Sequence, residues 1–522
     1  QCRIDFSKST TLFVGANNSG KTSAMDALGK FLAGRVFVFN DLTISNRTEI
    51  NAIGKEWVKE ECKMPENLEK WDRLLPIMDV WLEVERGEIH YVASIIPTLK
   101  WRGGKLGVRL AFQPKDISKL FTEYREEYFA ARTTEAAGKR EKESHINLYP
   151  KDLCEFLDRK LNTYFSIKSY VLDPEQSESE PPQSTPYERE CFTDNALKDV
   201  IRIDMIDAQR GFSDPDSPDV NDGSKKQLSS QMRSYYDRHL DPEKLPTPED
   251  LEILEVTGQA REMFDKSLTD KFAPAIQELE GLGYPGVTDP QITISTKVST
   301  SETLKHDSAV QYALSKSDKT LKLPEKYNGL GYQNLISMIF NLISFRDSWM
   351  RVGKAQQGQN STGTIEPLHL VLVEEPEAHL HMQVQQVFIR KAYSVLRNHM
   401  FLKDNKDFAT QLVISTHSSH IARETDFSDL RYFKRLPECA DCDIATAKVI
   451  NLSDVFGKED KTDKFVTRYL QTTHCDLFFA DASILVEGSA ESMLVPHFIR
   501  NHYPKLNNRY ISIPLCVRIV VV

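Results

Sequence analysis

The chain has 522 residues, 27% of them charged, and its formal net charge at pH 7 is −10. This length favours more than one domain with ample core, and the acidic balance excludes a global basic field for nucleic acid, so any such site must be a local patch. Eight cysteines in so long a chain favour a reducing compartment over a disulfide framework. Because no apolar run approaches membrane-spanning length either, we expect a soluble cytoplasmic protein with no membrane partner.

The first predicted chemical centre is the stretch LFVGANNSGKTSAMDAL at residues 12–28. An apolar run breaks into Gly15-x-x-x-x-Gly20-Lys21-Thr22 and then into a helix-compatible segment, which is the strand-loop-helix setting of a phosphate-binding loop. In such a loop, backbone N–H groups surround phosphate oxygens, the lysine reaches the β- and γ-phosphates, and the threonine hydroxyl ligates Mg²⁺. The residues predicted to bind ATP are Asn17, Asn18, Ser19, Gly20, Lys21, Thr22 and Ser23, of which Thr22 is also a predicted metal ligand.

A predicted antiparallel meander follows the P-loop helix. Apolar and polar residues alternate in segments 80–84 and 108–112, and the apolar segment 89–96 between them is predicted to be a further strand. Residues 115–165 are predicted to be helical. The acidic, proline-rich segment 173–190 is predicted to be a mobile loop, because it can bury little. A meander inserted beside a P-loop sheet is typical of ATPase heads of the ABC type.

A strand is predicted over residues 200–206, followed by Gln209, which is either a sensor of metal and γ-phosphate or an ordinary strand-end residue. Residues 247–250 then supply a helix start: a capping threonine, a first-turn proline and an acidic third position. Apolar residues recur every three or four positions over residues 254–279. One apolar stripe on a projecting helix needs a partner, either the head domain itself or a second copy of the chain.

The second predicted centre is LHLVLVEEPEAHLH at residues 368–381. A continuous apolar run that ends in two carboxylates is typical of a buried parallel strand whose carboxyl end faces the ligand crevice. In a nucleotide hydrolase, Glu374 is expected to hold Mg²⁺ through its water shell, and Glu375 to orient or deprotonate the attacking water. Aspartate is usual in the first position, so the longer arm of Glu374 implies slightly different metal placement.

Two further motifs distinguish among P-loop classes. Residues 328–333, NGLGYQ, open an apolar helix, so the backbone of Gly329 and Gly331 is expected at a positive helix end. In ABC ATPases such a signature binds the γ-phosphate of the opposite subunit, although this version lacks the serine of the common form. Thr416-His417-Ser418 follows another buried strand, where His417 is expected to contact the γ-phosphate.

The third predicted centre is the segment 483–488, SILVEG, which is interpreted as a short strand ending at Glu487. Glu491 follows one turn into a helical segment, so both acids can face one point, as a metal cluster requires. Toprim domains begin in this way. A surface turn is the alternative when this short pattern is considered alone.

The motifs GANNSGKT, NGLGYQNL, LVEEPEAHLH, ISTHS and ILVEGSAE occur in this order and together resemble the OLD (overcoming lysogenization defect) family of ATPase-nucleases. The resemblance implies an α/β fold, with an ABC-type P-loop ATPase head that carries the meander and an inserted helical dimerisation arm, followed by the start of a Toprim domain. The implied boundaries are 1–211 and 286–470 for the head, 212–285 for the arm and 471–522 for the Toprim portion.

The resemblance also implies a function in antiphage defence. It assigns ATP hydrolysis to Lys21, Thr22, Glu374, Glu375 and His417, and DNA cleavage with Mg²⁺ or Mn²⁺ to Glu487 and Glu491 as catalytic and metal-binding residues. Implied partners are DNA, a second copy in a homodimer or larger homo-oligomer, and a partner protein or nucleic acid of the defence system.

The sequence departs from the Toprim pattern in one place, because no Asp-x-Asp follows before residue 522. We expect both ends of the chain to be incomplete. Two alternatives stay open: a RecF- or SMC-like ATPase that clamps DNA without cutting it, and a nucleotide-gated scaffold that scarcely hydrolyses ATP and holds a partner inactive.

Overall fold

The computed structural model describes residues 2–513 with several gaps. Gln209 and Gly329 lie outside the described residues. Within those residues, no helix combines the length and apolar character needed to cross a membrane. The residues left out are 66–67, 69, 139–147, 180, 192–194, 209–227, 243–245, 282–310, 314–321, 325–329, 353–364, 379, 404, 406, 439–444, 453–474, 481, 508 and 510.

Strands and helices are mixed along the chain, which confirms the predicted α/β class. The strands are β1 (Thr10–Val14), β2 (Ile77–Val84), β3 (Gly104–Pro114), β4 (Phe165–Val171), β5 (Ile201–Ile206), β6 (Gln311–Ala313), β7 (Lys322–Pro324), β8 (Leu368–Glu374), β9 (Ala409–Ser415), β10 (Leu430–Leu436), β11 (Thr446–Asn451), β12 (Ala482–Ser483) and β13 (Ile511–Ser512). The helices are α1 (Lys21–Leu32), α2 (Asn46–Trp57), α3 (Ile117–Gly138), α4 (Leu153–Tyr164), α5 (Leu228–His239), α6 (Asp250–Gly281), α7 (Leu330–Trp349), α8 (Met382–Arg397), α9 (Met400–Lys403), α10 (Ser419–Arg423), α11 (Ser489–His502) and α12 (Pro504–Asn507).

Contacts divide the chain into two compact units, each described separately below. The first consists of Gln1–Met205, Glu366–Pro376 and Asp404–Val522, and the second of Ile206–Ile365 and Glu377–Lys403. The domain boundaries expected from the sequence stay a prediction.

A mixed six-stranded sheet organises the first unit. Its order is β11-β10-β1-β9-β8-β5, in which β10, β1, β9 and β8 run parallel and β11 is antiparallel to β10. The apolar runs of β8 and β9 are buried on both faces, as expected for central parallel strands. Because parallel strands point the same way, the carboxyl ends of β1, β8 and β9 meet at one edge, where the predicted motifs follow.

The predicted meander is confirmed in its strands β2 and β3, which pair antiparallel, and the sheet is completed by β4, a strand that the sequence analysis did not predict. The predicted strand over residues 89–96 is wrong, because Arg86–Ile95 form 3₁₀-helical turns. Glu88 starts these turns by accepting the Glu85 N–H at 2.8 Å. Buried Val92 and Ile95 lie three residues apart, which suits a helical turn rather than a strand.

The acidic segment 173–190 packs against the meander. Lys105 Nζ on β3 lies 2.6 Å from Glu178 Oε1, and the Tyr187 ring makes an edge contact with Tyr170 of β4 at a centroid distance of 5.8 Å. Most of the described residues of this segment are exposed, as its composition predicts, and its mobility stays a prediction.

The second unit contains α5 to α9. Helix α6 confirms the predicted long helix, and its exposed large apolar side chains include Met263 and Phe264. Helix α5 contacts α7 through Tyr235, whose hydroxyl donates to Asp347 Oδ2 at 2.8 Å. Burial, together with this acceptor, raises the pKa of Tyr235 to about 12.

The C-terminal segment of the first unit contains a small parallel pair, β12 and β13, and the helix α11. The strand predicted over residues 483–488 is confirmed only in part. The ladder with β13 covers Ala482 and Ser483, the Ile484 N–H still donates to the carbonyl oxygen of Ser512 at 2.9 Å, and Val486 forms a single bridge, whereas Leu485 is 68% exposed. The predicted helix after Gly488 is confirmed.

Candidate functional site

The loop between β1 and α1 has the backbone conformation of a phosphate-binding loop. Gly15 (φ 152°), Asn18 (φ 57°) and Gly20 (φ 99°) have positive φ values, which glycine adopts readily and asparagine tolerates. Gly20 precedes α1 and has no side chain to cap it, and the first N–H groups of a helix are ready donors to a bound anion. The loop therefore fits a phosphate group.

The space behind Gly15 also requires glycine. A Cβ atom at this position would lie 2.4 Å from the carbonyl oxygen of Phe433 on β10 and 2.9 Å from Ser19 Oγ. Ser19 itself is buried. Four other residues of the predicted ATP site are exposed along the loop and the first turn of α1: Asn17, Asn18, Thr22 and Ser23.

Lys21 is folded over the loop and is only 4% exposed. Its Nζ donates to the carbonyl oxygens of Gly15 at 2.6 Å and Ala16 at 3.0 Å. A buried ammonium needs such acceptors to offset the loss of water. The charge is thus held where a phosphate bound by the same loop would meet it.

The two predicted carboxylates stand at the end of β8. Glu374 is the last residue of the strand and is 6% exposed. Glu375 adopts a left-handed conformation (φ 41°), which costs a non-glycine residue about 1–2 kcal/mol. Its N–H donates to the carbonyl oxygen of Ser415 at 2.9 Å, which holds this turn against the end of β9.

His417 lies between the P-loop lysine and the second carboxylate. Its Nε2 is 3.3 Å from Glu375 Oε1, and its Nδ1 is 3.5 Å from Lys21 Nζ. Burial and then the Lys21 charge lower the pKa of His417, against an opposing contribution from Glu375. A neutral imidazole can accept from Lys21 at Nδ1 and donate to Glu375 from Nε2. The structure therefore joins three predicted residues in a Lys21–His417–Glu375 network.

Ser415 was not singled out by the sequence. Its carbonyl oxygen accepts the Glu375 N–H, and Thr416, the next residue, donates its N–H to the carbonyl oxygen of Phe13 at 3.1 Å. The end of β9 thus contacts both β1 and the turn after β8. Only its place directly before the Thr416-His417-Ser418 motif signals this role in the sequence.

The residues at this edge suit a magnesium nucleotide. Mg²⁺ prefers oxygen ligands and is usually bound through one or two carboxylates together with substrate phosphates. Thr22 on α1 and Glu374 on β8 offer a hydroxyl and a carboxylate, and the P-loop geometry fits phosphate.

The predicted signature lies in the second unit. Gly331 is the second residue of α7 and is partly buried. The apolar helix that residues 328–333 are predicted to open is confirmed as α7, whose first described residue is Leu330. The role of Gly331 in binding a neighbour's nucleotide stays a prediction, as does that of Gly329.

The predicted metal-binding acids of the C-terminal segment are both exposed. Glu491 Oε2 accepts the N–H of Gly488 at 2.5 Å and so caps α11. Across the part of the chain that the structure describes, no group of three or more His, Cys, Asp or Glu residues is placed to hold a metal ion. The structure therefore does not gather Glu487 and Glu491 with a third described acid.

The parallel sheet, the P-loop and the paired carboxylates define a P-loop ATPase. Residues 1–422 match the family described as AAA ATPase domain, and the chain belongs to this family. Residues 478–516 match the family described as Overcoming lysogenization defect protein-like, TOPRIM domain. The resemblance predicted from the motifs is confirmed.

A curated relative supports the same assignment. Endonuclease GajA of Bacillus cereus (strain HuB5-5) is 30% identical over 210 residues, which are 38% of this chain and 28% of that protein. The match thus spans little more than a quarter of the relative's length.

Solved structures with some likeness are an Smc head bound to the C-terminal winged-helix domain of ScpA and Stu0660 of Streptococcus thermophilus. For the Smc head, the TM-score is 0.31 at 10% identity, covering 87% of this chain and 94% of that chain. For Stu0660, the TM-score is 0.30 at 9% identity, covering 95% of this chain and 96% of that chain. TM-scores this low support no statement about fold or function.

Proposed function

We propose that this protein binds and hydrolyses ATP at the carboxyl ends of β1, β8 and β9, and that its nucleotide state controls metal-dependent DNA cleavage by the Toprim segment. The observation that supports this most is the Lys21–His417–Glu375 network. It connects the loop that would hold the phosphates to the carboxylate that would act on water, through one imidazole. From the resemblance of its motifs to the OLD family, we further propose that this activity serves antiphage defence in the cytoplasm.

The chain's own residues divide the work of hydrolysis. Lys21 offsets the negative charge of the phosphates, while the left-handed turn fixes Glu375 as the group that orients or deprotonates the attacking water. His417 orients Glu375 and can contact the γ-phosphate. Mg²⁺, held through Thr22 and Glu374, would supply charge neutralisation at the phosphates.

Assembly is part of the proposal. In an ABC-type arrangement, Gly329 and Gly331 act on the nucleotide of a second copy, so the working unit is a homodimer or a larger homo-oligomer. The exposed apolar side chains along α6, which include Met263 and Phe264, offer a surface that a second copy would cover.

The nuclease step is assigned to the C-terminal segment. Glu487 and Glu491 would supply two of the carboxylates that hold Mg²⁺ or Mn²⁺ against a scissile phosphate and generate a hydroxide nucleophile. Glu491 must then leave its capping contact with Gly488, so metal binding and the start of α11 are linked.

Two substitutions test the ATPase assignment. Glu375→Gln should leave ATP affinity nearly unchanged and lower the hydrolysis rate about 100- to 1,000-fold, because the amide cannot take a proton. Lys21→Ala should instead weaken ATP binding roughly 30-fold or more, since it removes charge-assisted contacts to phosphate. Binding is followed with a fluorescent ATP analogue and hydrolysis by phosphate release.

The matched controls are Glu49→Gln and Lys55→Ala, both exposed on α2, which should behave as wild type in both assays. Wild-type turnover by Glu375→Gln would show that the catalytic base lies elsewhere. ATP binding without turnover in the wild-type protein would favour the scaffold alternative.

A further inference from the structure

Ser415 has a buried hydroxyl without a hydrogen bond. The residue is the last of β9 and is 2% exposed, and its Oγ has no hydrogen-bond partner among the described residues. Most buried hydroxyl groups in folded proteins are hydrogen-bonded, and one that is not destabilises the folded state. A destabilising group at the edge of a candidate active site calls for a functional explanation.

The register of the sheet places this hydroxyl beside Glu374. Ser415 pairs directly with Phe13 of β1 on one side and with Glu374 of β8 on the other. Directly paired residues project to the same face, and neighbouring strands lie about 4.8 Å apart. The Ser415 hydroxyl and the Glu374 carboxylate therefore stand side by side on one face.

This face is the one that α1 covers. Phe13, Leu372 and Val413 alternate in step with Glu374 and Ser415, and they share one apolar cluster with Met25 of α1. Thr22, the predicted metal ligand, lies in the first turn of the same helix. The hydroxyl therefore belongs to the side of the sheet on which the metal would be bound.

We propose that Ser415 is a positioning residue for Glu374, and this inference rests on the proposed function. Its Oγ donates a hydrogen bond to the Glu374 carboxylate when a magnesium nucleotide is bound, and so directs the carboxylate toward the metal. An ionised carboxylate only accepts hydrogen bonds, and a hydroxyl is a suitable donor. Glutamate has one more rotatable bond than the usual aspartate, so it gains more from such a restraint.

One residue would then fix both carboxylates. The main-chain oxygen of Ser415 already accepts the N–H of Glu375 at 2.9 Å, and its side chain would restrain Glu374. The two contacts differ in kind, because the first exists without nucleotide and the second forms on binding.

Ser415→Ala separates this role from a structural one. We expect the thermal midpoint of the nucleotide-free variant to be unchanged or higher, because an unpaired buried hydroxyl is removed. ATP binding in EDTA should match wild type. The Mg²⁺ concentration that gives half-maximal thermal stabilisation by ATP should rise on the order of tenfold, as expected for one lost hydrogen bond to a charged group.

The matched control is Ser169→Ala on β4. Ser169 is 1% exposed, and its Oγ accepts the N–H of Ala196 at 3.1 Å. This variant should melt at a lower temperature than wild type and keep the wild-type Mg²⁺ midpoint. The isosteric pair Ser415→Thr and Ser415→Val provides the rescue test, because only the threonine retains a hydroxyl and should keep the lower Mg²⁺ midpoint of the two.

A Ser415→Ala variant that melts lower and keeps the wild-type Mg²⁺ midpoint would overturn the inference and leave the ATPase proposal intact. Equal Mg²⁺ midpoints for Ser415→Thr and Ser415→Val would overturn it as well. If the wild-type protein shows no Mg²⁺-dependent stabilisation by ATP, the proposed function fails first, and the inference fails with it.

Discussion

Two regions differ in how many of their predicted site residues contact one another. They are the edge formed by the carboxyl ends of β1, β8 and β9, here called the P-loop edge, and residues 478–516, here called the Toprim segment. At the P-loop edge, residues from three places in the sequence meet in the Lys21–His417–Glu375 network. In the Toprim segment, Glu491 contacts the backbone of Gly488, three residues away. A site built from distant segments requires a sheet that brings them together, and among the described residues the Toprim segment has only the two-stranded sheet of β12 and β13.

The sheets explain this difference. Strands β1, β9 and β8 are adjacent and parallel, and each is five to seven residues long. The three motifs that follow these strands therefore lie at the same edge of the sheet. Strands β12 and β13 have two residues each, so they position little beyond themselves. Residues of separate motifs form a site when adjacent strands of one sheet place them at the same edge.

The largest expected effect tests whether the two regions are independent. Glu487→Ala should reduce plasmid nicking in Mg²⁺ or Mn²⁺ to background, because clustered carboxylates must hold the metal against the scissile phosphate. The assay requires a protein that also carries the Asp-x-Asp of a Toprim domain. ATP affinity should stay within about twofold of wild type, since no nucleotide contact is removed.

Glu60→Ala, at an exposed acid beyond α2, is the control and should nick at the wild-type rate. Equal nicking by wild type and Glu487→Ala would place the nuclease at another site or in a contaminant. A large loss of ATP affinity in Glu487→Ala would show that the two regions are coupled in the ground state.

A smaller effect is expected at the signature helix. Gly331→Leu should lower ATP hydrolysis roughly 100-fold, as expected when one backbone donor to a developing charge is blocked. ATP binding should change little, because the P-loop lies on the same chain and the signature acts on a neighbour. Leucine favours a helix more than glycine does, so α7 should remain folded.

The rate is measured against protein concentration together with the molar mass in solution. Mixing Gly331→Leu with Lys21→Ala should restore part of the activity if one copy's signature serves the other copy's nucleotide. Full activity in a strictly monomeric wild-type protein would contradict this arrangement.

The smallest effect concerns pH. The pKa of His417 is lowered in the folded protein, mainly by burial, so below its ordinary value near 6.5 the unfolded chain takes up a proton more readily than the folded one. The free energy of unfolding should therefore fall as pH drops below about 6.5 and level off above it. His417→Gln should reduce the fall in the free energy of unfolding between pH 7.5 and 5.5 by about 0.5 kcal/mol or less, because the ring is partly exposed.

Urea unfolding at pH 5.5 and 7.5 measures the effect in the wild type and the variant. His369 shares the downward direction through its own burial, so part of the wild-type slope should survive in His417→Gln. An unchanged slope would mean that His417 is not held in the environment described here.

The P-loop edge was predictable because its signals are local and strong. Strands β8 and β9 are continuous apolar runs, and each ends in residues with distinctive chemistry. The parallel arrangement follows from these runs, and with it the convergence of Lys21, Glu375 and His417 at one edge. Strands β2 and β3 of the antiparallel meander were predictable from alternation for the same reason, whereas β4 was not predicted.

Other features depended on partners that the sequence does not reveal. Residues 89–96 look like a strand, but the Glu85–Glu88 contact starts a helical turn there. Segment 173–190 is mostly exposed, as its composition predicts, but the sequence does not reveal its contacts with Lys105 and Tyr170 of the meander. The apolar run at 483–488 has the composition of a strand but pairs only in part, because the neighbouring strand β13 has two residues.

Ser415 shows a further limit. A serine inside an apolar strand is unremarkable in sequence, and its importance comes from register alone. Only the pairing with Phe13 and Glu374 reveals that its hydroxyl shares a face with the predicted metal-binding carboxylate.

The close approach of Gly15 to Phe433 bears on how this ATPase could be engineered. Because the P-loop backbone rests directly on a carbonyl of β10, the smallest portable nucleotide-binding module is larger than the eight-residue motif. A P-loop grafted from a relative would therefore require the β10 strand of the same relative, although this strand lies more than 400 residues later in the chain. We expect recombination between homologues to tolerate crossover points that keep β1 and β10 from the same parent, and to reject those that separate them.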